Sequence, residues 1–577
     1  MIIHYSNNYY NKYYNKFLSS LIPKYCRFYT SGQNNNYLPS LPLFTKLLKH
    51  AETQSLQKPV IVDVKSNTSH SYQNLVSDIS SFRNNLLKKS FKQTLNEKCV
   101  AFLCPNGYDY VVSQWSIWSA GGIAVPLCTT HPQSELLYVL KDSQASTVIT
   151  HPDFYDKIKD VTKDAGINDL ILVGDKNEKY SDFDGINYKV QSLYWESRTV
   201  DIKAPSLIPM EESRKALIIY TSGTTGKPKG VVSTHLNIKA QVSSLIEAWR
   251  WSEKDRILHV LPLHHLHGIL NALTCAIYAG ATVEMLPKFD AAEVWNRWMS
   301  PERNLSLFMA VPTIYSKLIQ YYNDNMSDEL KPKATESCSQ FRLMISGSAA
   351  LPTPLRNTWK EISGGQILLE RYGMSEVGMA LSHEYDKERR FEGCVGLPLP
   401  NVQVRLISED DKDVTNLTET PGEIQIKGQT VFKEYWNKPE ATQKEFTQDG
   451  WFKTGDTAII TEKEKVYKIL GRKSVDIIKS GGYKISALEI ERVLLSHPNI
   501  LDISVLGVED PEWGQRIGAI IVLKNKDVMM DLNILKEFLK DRLAKYKIPS
   551  LLKIVQDLPK NAMGKVNKKE LIKLFDQ

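Results

Sequence analysis

The chain reads Tyr220-Thr-Ser-Gly-Thr-Thr-Gly-Lys-Pro-Lys-Gly230 directly after a short apolar segment that begins at Ala216 and is predicted to be a strand. Glycines let backbone N–H groups approach oxygens closely, hydroxyls add donors, and two lysines supply positive charge. This composition predicts a loop that binds polyphosphate. A plain flexible hairpin would explain the glycines, but not the four hydroxyl side chains together with the two lysines.

This loop differs from the P-loop of kinases and GTPases. In a P-loop the lysine is followed by Ser or Thr, and the loop opens a helix. Here Pro228 follows Lys227, and Val231-Val-Ser233 reads as a strand. The pattern therefore disfavours a P-loop enzyme.

Two long stretches alternate helical patterns with short apolar strands, from Leu41 to about Ser206 and from Leu217 to about Pro400, and the second contains the loop. A β-rich stretch follows, and after Gly471 the pattern becomes a compact α+β unit. We expect an α/β protein. Its large N-terminal domain, residues 41–472, would contain α/β subdomains and a β-rich subdomain, and a small α+β domain would cover residues 473–577.

Composition excludes several functional classes. With 577 residues, 42% hydrophobic and 24% charged, the chain is typical of a globular protein of two or three domains, and it contains no apolar run long enough to span a bilayer. The net charge of +7 is spread along the chain, so it does not predict nucleic-acid binding. The seven cysteines show no CxxC spacing, which indicates a reducing compartment and no structural zinc.

The N-terminus differs from the rest of the chain. No Asp or Glu precedes Glu52, and Lys12, Lys16, Lys24 and Arg27 lie among Tyr, Asn, Ser and Leu. This mixture is typical of organellar transit peptides, so residues 1–30 are predicted to be a removable leader for the mitochondrial matrix. The alternative is a disordered tail rich in Asn and Tyr.

Further motifs follow the loop along the chain, and they are Arg371-Tyr-Gly-Met-Ser-Glu376, Gly450-Trp-Phe-Lys-Thr-Gly-Asp456, Gly471-Arg472 leading to Lys479-Ser-Gly-Gly-Tyr-Lys484, and Pro559-Lys-Asn-Ala-Met-Gly-Lys565. Together with the loop they resemble, in the same order, the motifs of the adenylate-forming superfamily, which includes the acyl-CoA synthetases. The resemblance covers the chain from about residue 40 to its end. It implies that ATP activates a carboxylic acid as an acyl-adenylate, and that the acyl group then passes to the thiol of CoA.

The resemblance also implies how the nucleotide is held. Tyr372 would flank the adenine, and Asp456 and Arg472 would bind the ribose hydroxyls. Glu376 would bind the Mg²⁺ that accompanies ATP. The loop residues expected to contact the nucleotide are Thr221, Ser222, Gly223, Thr225, Gly226 and Lys227.

Three residues are expected to be catalytic, and they are Lys565, Glu376 and Thr224. Lys565 would stabilise the charge that builds up on the α-phosphate and on the attacking carboxylate oxygen. No nucleophilic side chain is required, because the carboxylate of the substrate attacks ATP itself. This agrees with the absence of a Gly-x-Ser-x-Gly motif.

By the same resemblance, the C-terminal domain is mobile and has two working orientations. One presents Lys565 for adenylation, and the other presents a loop for thioester formation that consists of Ser480, Gly481, Gly482, Tyr483 and Lys484. The segment after Arg472 holds one residue more than the common family pattern, so either Lys473 or Ser474 is the hinge.

Arg371 bears on the choice of acid. A guanidinium in an acyl pocket would be costly beside a fatty acid, whereas a second carboxylate on the substrate would pair with it. In an extended segment the neighbouring Glu370 would point the opposite way, although another acid of the protein remains an alternative partner. His267 and Met374 are expected to line the acyl site, and three histidines between positions 264 and 267 read as a loop and not as a zinc site.

The amino-acid sequence around these residues is similar to that of the malonyl-CoA synthetase branch of the family. This similarity implies malonate and also methylmalonate as substrates. A medium-chain or aryl acid, with Arg371 facing elsewhere, is the alternative. A catalytically silent nucleotide-binding scaffold is a third interpretation, but the residues expected to react are all present. A carrier protein could replace CoA, yet no carrier module is visible in the chain. No nucleic acid and no obligate protein partner are expected.

Overall fold

The computed structural model describes residues 37–88, 93–174, 189–194, 205–221, 227–473, 475–481, 483–560 and 566–575. The predicted leader, residues 1–30, lies outside these ranges. Within them, none of the helices combines the length and the apolar character needed to cross a membrane.

The first large sheet carries the glycine-rich loop. It has eight strands in the spatial order Glu434–Tyr435, Lys229–Thr234, Lys215–Thr221, Ile123–Pro126, Cys99–Leu103, Thr147–Thr150, Asp169–Gly174 and Lys189–Tyr194. The last six are parallel, and Lys229–Thr234 runs antiparallel to both of its neighbours. The helices associated with this half are Tyr108–Ser119, Gln133–Ser143, Tyr155–Asp164 and His235–Ala248.

The second large sheet has nine strands in the order Leu397–Pro398, Gly378–Ser382, Leu369–Met374, Leu343–Gly347, Leu307–Ala310, Arg256–His259, Thr282–Met285, Pro59–Asp63 and Thr68–Ser71. Six adjacent strands are parallel, and antiparallel strands close both edges. Around it lie helices Pro42–Thr53, Tyr72–Lys88, His267–Thr274, Cys275–Ala279, Ala291–Trp298, Pro312–Asp324, Lys331–Ser339 and Thr353–Ile362. Parallel strands bury both faces, which explains their nearly continuous apolar sequences.

Residues of both large sheets and their helices share one apolar core. Its largest fully buried side chains include Trp115, Trp118, Trp295, Trp298 and Trp359. Trp295 and Trp298 meet edge to face, with ring centroids 5.0 Å apart. Because this core joins the two halves, the carboxyl ends of their strands are held in a fixed relation to each other.

A smaller antiparallel sheet follows, as the β-rich pattern predicts. Its strands are Val402–Ile407, Gly422–Gly428, Phe452–Ile460 and Tyr467–Arg472. Together with the two large sheets it confirms the α/β class with a β-rich subdomain. A short helix, Pro439–Glu445, and a two-stranded pair, Tyr37–Pro39 with Ser206–Ile208, complete this part of the chain.

The C-terminal part is a separate α+β unit. Its five strands are Tyr483–Ser486, Ile477–Ser480, Gly514–Leu523, Ile500–Asp510 and Leu551–Val555, and its helices are Ala487–Leu494, Leu532–Leu539 and Lys568–Ile572. The first of these helices is capped by Ser486, because the N–H of Glu489 donates to Ser486 Oγ at 3.1 Å.

One helix is shorter than its pattern predicts. The sequence favours a helix from Asn533 to Tyr546, whereas the structure ends it at Leu539 and adds a separate turn at Lys545–Lys547. Leu543 remains buried in the core of the domain after the chain has left the helix, and Pro549 disfavours a helical conformation at the residue before it. As a consequence Tyr546 lies on the surface.

Candidate active site

The glycine-rich loop is held at its base by two antiparallel strands, Lys215–Thr221 and Lys229–Thr234. The hydroxyl of Tyr138 donates to the carbonyl of Pro228 at 2.8 Å, and Lys227 Nζ lies 5.6 Å from the centroid of the same tyrosine ring. The ends of the loop are therefore fixed. Five of its predicted site residues lie outside the described residues, and they are Ser222, Gly223, Thr224, Thr225 and Gly226.

Glu376 is a buried carboxyl group next to the base of the loop. Its Oε1 accepts a hydrogen bond from Tyr435 Oη at 2.9 Å, and Lys229 Nζ lies 4.7 Å from the centroid of the Tyr435 ring. Burial raises the pKa of Glu376, and the Tyr435 hydrogen bond opposes this rise. A divalent cation would favour the ionised form, and carboxylate oxygens are ligands that Mg²⁺ prefers, so the residue fits this ion.

Three of the predicted nucleotide residues form one hydrogen-bonded group. Asp456 and Arg472 are direct neighbours on antiparallel strands. Arg472 Nε donates to Asp456 Oδ1 at 2.9 Å, and Tyr372 Oη donates to Asp456 Oδ2 at 2.6 Å. The carboxylate of Asp456 is therefore held by two donors, with its remaining acceptor positions suited to a pair of vicinal hydroxyls.

Arg371 is buried on the strand Leu369–Met374, with only 4% of its surface exposed. It pairs in register with Gly347 on the next strand, and a Cβ at Gly347 would lie 2.6 Å from Arg371 Cζ. Glycine is therefore required at position 347 to make room for the guanidinium. Nη2 donates to Ser348 Oγ at 3.0 Å, and Ser348 has the positive φ of 69° that non-glycine residues rarely adopt.

No carboxylate of the described residues forms an ion pair with Arg371, and its Nε has no hydrogen-bond partner. Burial lowers the pKa of Arg371 to about 9. Glu370 is also buried, but the charged groups around it are Arg492, Arg356 and Glu392, which agrees with the expectation that adjacent strand residues face opposite ways. The guanidinium is thus a buried cation with a neutral partner only.

His267 lies near this cation and is itself buried. Both of its ring nitrogens lack a hydrogen-bond partner among the described residues. Burial, and secondly the charge of Arg371, hold the pKa of His267 well below its usual range, so the ring is neutral at physiological pH. Met374, at the end of the strand that carries Arg371, is half-buried.

The structure differs from the expectation that all three histidines lie in a loop. His264 and His265 do lie in a turn, but His267 is the first residue of a π-helix, His267–Thr274. A Cβ at Gly268 would lie 2.4 Å from the Pro262 carbonyl, so this tight approach depends on glycine. In the part of the chain that the structure describes, no cluster of three or more metal-ligating side chains is found.

The loop expected to serve thioester formation lies on the C-terminal domain. Ser480 ends one strand, Tyr483 begins the next, and the Tyr483 side chain is exposed and contacts Tyr546 of the same domain. Gly482, the side chain of Lys484, and Lys565 lie outside the described residues. Lys560 and Val566 are the described residues on either side of the segment that contains Lys565. They pair with each other as an isolated antiparallel bridge.

A half-buried ion-pair group adjoins the expected hinge. Lys568 Nζ lies 2.6 Å from Asp476 Oδ1 and 2.8 Å from Glu491 Oε1. The other Asp476 oxygen, Oδ2, accepts the backbone N–H of Arg472 at 3.1 Å. Lys473 donates its backbone N–H to Gly455 at 2.9 Å, and Ser474 lies outside the described residues.

Several of these residues are not indicated by the sequence reasoning. Tyr435 comes next to Glu376 only because its strand pairs with Lys229–Thr234, and no local pattern signals this pairing. The contact of Gly347 with Arg371 likewise follows from the register of two strands, which no local pattern indicates. Lys568 lies three residues beyond the end of the motif that contains Lys565, so that motif does not indicate it.

Glu370 gives a prediction about stability and pH. Burial raises its pKa to about 8, from an ordinary value of 4.5, although Arg492 and Arg356 oppose this shift. The folded protein therefore keeps a proton that the unfolded chain releases between these two values, so stability falls as pH rises through this window. Glu370→Gln cannot ionise. Between pH 5 and pH 8 we expect the free energy of unfolding of this variant, relative to that of the unchanged protein, to rise by about 3 kcal/mol.

Chemical denaturation at several pH values measures this difference. Glu392→Gln is the matched control, since Glu392 belongs to the same charged cluster but its side chain is 46% exposed. Its difference from the unchanged protein should hardly vary with pH. A difference for Glu370→Gln that is equally constant would contradict the assignment of a raised pKa.

The fold and this site define a class, that of enzymes which bind AMP. The chain belongs to the AMP-binding enzyme family, because the family model matches residues 47–436, and the model of the AMP-binding enzyme C-terminal domain matches residues 489–565. Over 566 aligned residues it is 42% identical to the human mitochondrial malonate–CoA ligase ACSF3. The alignment covers 93% of this chain and 92% of the human protein.

Two solved structures that are each 30% identical to the chain complete the comparison. ATP-bound MatB from Rhodopseudomonas palustris superposes with a TM-score of 0.76, covering 92% of this chain and 99% of that one. A malonyl-CoA ligase with methylmalonyl-CoA and AMP bound superposes with a TM-score of 0.59, covering 89% and 99%.

Proposed function

We propose that the chain is a malonate–CoA ligase. It activates malonate with ATP as an acyl-adenylate, releases pyrophosphate and transfers the acyl group to CoA. The observation that carries the choice of acid is the buried guanidinium of Arg371, which has no acidic partner among the described residues. A substrate with two carboxylates supplies that partner and leaves the second carboxylate free to react.

In this proposal Arg371 holds the distal carboxylate of malonate in a bidentate grip, with Ser348 orienting the guanidinium. The neutral ring of His267 lies near Arg371 and adds no competing positive charge. The fixed distance between the two carboxylates then places the reacting one. Methylmalonate keeps both carboxylates and differs by one methyl group, so it is a second substrate.

The nucleotide is held by groups that do not react. Asp456, supported by Tyr372 and Arg472, accepts hydrogen bonds from the ribose hydroxyls. The glycine-rich loop binds the phosphates, and Glu376 binds the Mg²⁺ that neutralises them. Lys565 stabilises the charge of the adenylation step, and after that step the Ser480–Lys484 loop serves thioester formation.

We further propose that residues 41–472 and 473–577 are the two units that move relative to each other. The higher TM-score with the ATP-bound relative than with the product complex, at the same sequence identity, supports an arrangement closer to the ATP-bound one. The exposed side chain of Tyr483 also supports an arrangement closer to the ATP-bound one, because this residue contacts Tyr546 of its own C-terminal domain.

Acid-dependent exchange of pyrophosphate into ATP tests the proposal. Malonate and methylmalonate should support exchange in the presence of Mg²⁺, while acetate and octanoate should support far less. A preference for acetate or octanoate would contradict the dicarboxylate assignment and favour the medium-chain alternative. The absence of exchange with any acid would contradict the ligase assignment itself.

We also propose that the protein acts in mitochondria. Its basic, acid-free N-terminus has the composition of a transit peptide, and the human relative is described as mitochondrial. Fluorescent fusions of the full chain and of a chain lacking residues 1–30 test this. Only the full chain should enter mitochondria.

A further inference from the structure

Asp142 joins three segments that meet beside the glycine-rich loop. It lies near the end of helix Gln133–Ser143, and its Oδ2 accepts a hydrogen bond from Tyr220 Oη at 2.8 Å. Tyr220 is the last residue but one of the strand that enters the loop. The other oxygen, Oδ1, accepts a hydrogen bond from Lys438 Nζ at 3.4 Å. One carboxylate therefore connects the helix, this strand and the segment that follows Glu434–Tyr435.

Tyr138 reaches the strand that leaves the loop. It lies one turn before Asp142 on the same face of the helix, with its Oη 3.3 Å from Asp142 Oδ1. That hydroxyl donates to the carbonyl of Pro228 at 2.8 Å, and the ring faces Lys227 Nζ. The Tyr138 and Tyr220 rings meet edge to face, with centroids 6.3 Å apart. One helix face thus contacts the residues that border the loop on both sides.

The charge of Asp142 is unexpected at this place. A carboxylate repels the phosphates of ATP, so charge alone disfavours it beside a loop that is expected to bind them. What the carboxylate supplies is two acceptor oxygens for donors from different segments. Burial, and secondly the hydrogen bond to Asp142, raise the pKa of Tyr220, so its hydroxyl keeps the proton that it donates.

We propose that Asp142 and Tyr138 are positioning residues for the triphosphate of ATP: they hold Tyr220 and Lys227 where the two strand ends meet the phosphates. This inference rests on the proposed function of the loop. A lysine that is held in place beforehand loses less conformational freedom when it binds a phosphate. Asp142 and Tyr138 act through these neighbours and not by contact with ATP.

The variant Asp142→Ala separates positioning from an effect of charge. Positioning predicts that KM for ATP rises by about tenfold, whereas the loss of a repelling charge would lower it. KM for malonate should stay within about twofold of that of the unchanged protein. Steady-state kinetics with each substrate varied in turn measures both. An unchanged or lower KM for ATP, or equal rises for ATP and malonate, would overturn the proposal.

The second half-reaction separates positioning from general damage. Malonyl-adenylate carries no β- or γ-phosphate, so its reaction with CoA should not depend on where Lys227 is held. In Asp142→Ala, malonate-dependent pyrophosphate exchange at low ATP should fall by about tenfold, while transfer from supplied malonyl-adenylate to CoA stays within about twofold. Equal losses in the two half-reactions would indicate a structural role and would overturn the proposal.

Three further variants serve as controls. Asp142→Asn keeps an acceptor oxygen for Tyr220 and should retain most of the affinity for ATP. Tyr138→Phe removes only a hydroxyl, so KM for ATP should rise by about threefold. Asp156→Ala removes a carboxylate that is 89% exposed on the next helix, and it should change neither half-reaction. If Asp142→Asn or Asp156→Ala lost as much affinity for ATP as Asp142→Ala, the proposal would fail.

Nucleotide binding without any acid keeps this inference apart from the proposed function. By calorimetry, Kd for ATP with Mg²⁺ should rise by about tenfold in Asp142→Ala, and Kd for AMP should change by less than about twofold, because AMP lacks the two outer phosphates. Equal changes for the two nucleotides would overturn the proposal. If the unchanged protein bound ATP but showed no malonate-dependent exchange, that result would contradict the proposed function instead.

Discussion

Replacing Arg371 by methionine is expected to reduce activity with malonate strongly and, at the same time, to make the protein more stable. The substituted side chain cannot grip the distal carboxylate, so kcat/KM for malonate should fall by about 100-fold or more. The effect should lie mainly in KM for malonate, and KM for ATP should change by less than about threefold. Steady-state kinetics with each substrate varied in turn measures this.

The gain in stability has a separate cause. Among the described residues Arg371 has no acidic partner, and such a buried cation costs free energy that a buried thioether does not. The free energy of unfolding should therefore rise by about 1–3 kcal/mol. Malonate should raise the melting temperature of the unchanged protein and have little effect on the variant. Arg371→Lys is the matched control, since it keeps the charge but loses the bidentate grip. Equal increases in KM for ATP and malonate would dismiss the assigned role.

Replacing Lys565 by alanine is expected to stop the first half-reaction almost entirely. In the proposed function the ammonium group stabilises charge on the α-phosphate only during adenylation, so malonate-dependent pyrophosphate exchange should fall by about 1,000-fold. Transfer from supplied malonyl-adenylate to CoA should remain within about threefold of the unchanged protein.

Lys560→Ala is the control for this experiment, because Lys560 lies five residues before Lys565 and forms an ion pair with Asp502 of the same domain. It should leave both half-reactions nearly unchanged. If Lys565→Ala slowed adenylation and transfer to the same extent, the lysine would have a structural role and not the one proposed.

The features that the sequence could predict are those carried by short continuous stretches of the chain. The two strands that flank the loop follow from local composition. Asp456 and Arg472, which the motifs assign to one ribose site, are direct neighbours on two strands, and the ribose site itself stays a prediction. The α/β class with a β-rich subdomain is confirmed for the same reason, since each apolar pattern is long enough to be recognised by itself.

Contacts between distant segments could not be predicted in this way. The space that Gly347 leaves for Arg371 depends on the register of two parallel strands, which no local pattern fixes. The end of the helix at Leu539 depends on how Leu543 packs in the core. In both cases tertiary packing outweighs the local preference of the chain.

The ion pairs of Lys568 bear on how the C-terminal domain would turn in the proposed cycle. They connect the helix Lys568–Ile572 with Asp476, which lies four residues beyond Arg472. That helix and the segment next to the proposed hinge would therefore turn together. The rotation would fall on the few peptide units between Arg472 and Asp476, so we expect Lys473→Pro to stiffen them and to slow the passage from adenylation to thioester formation.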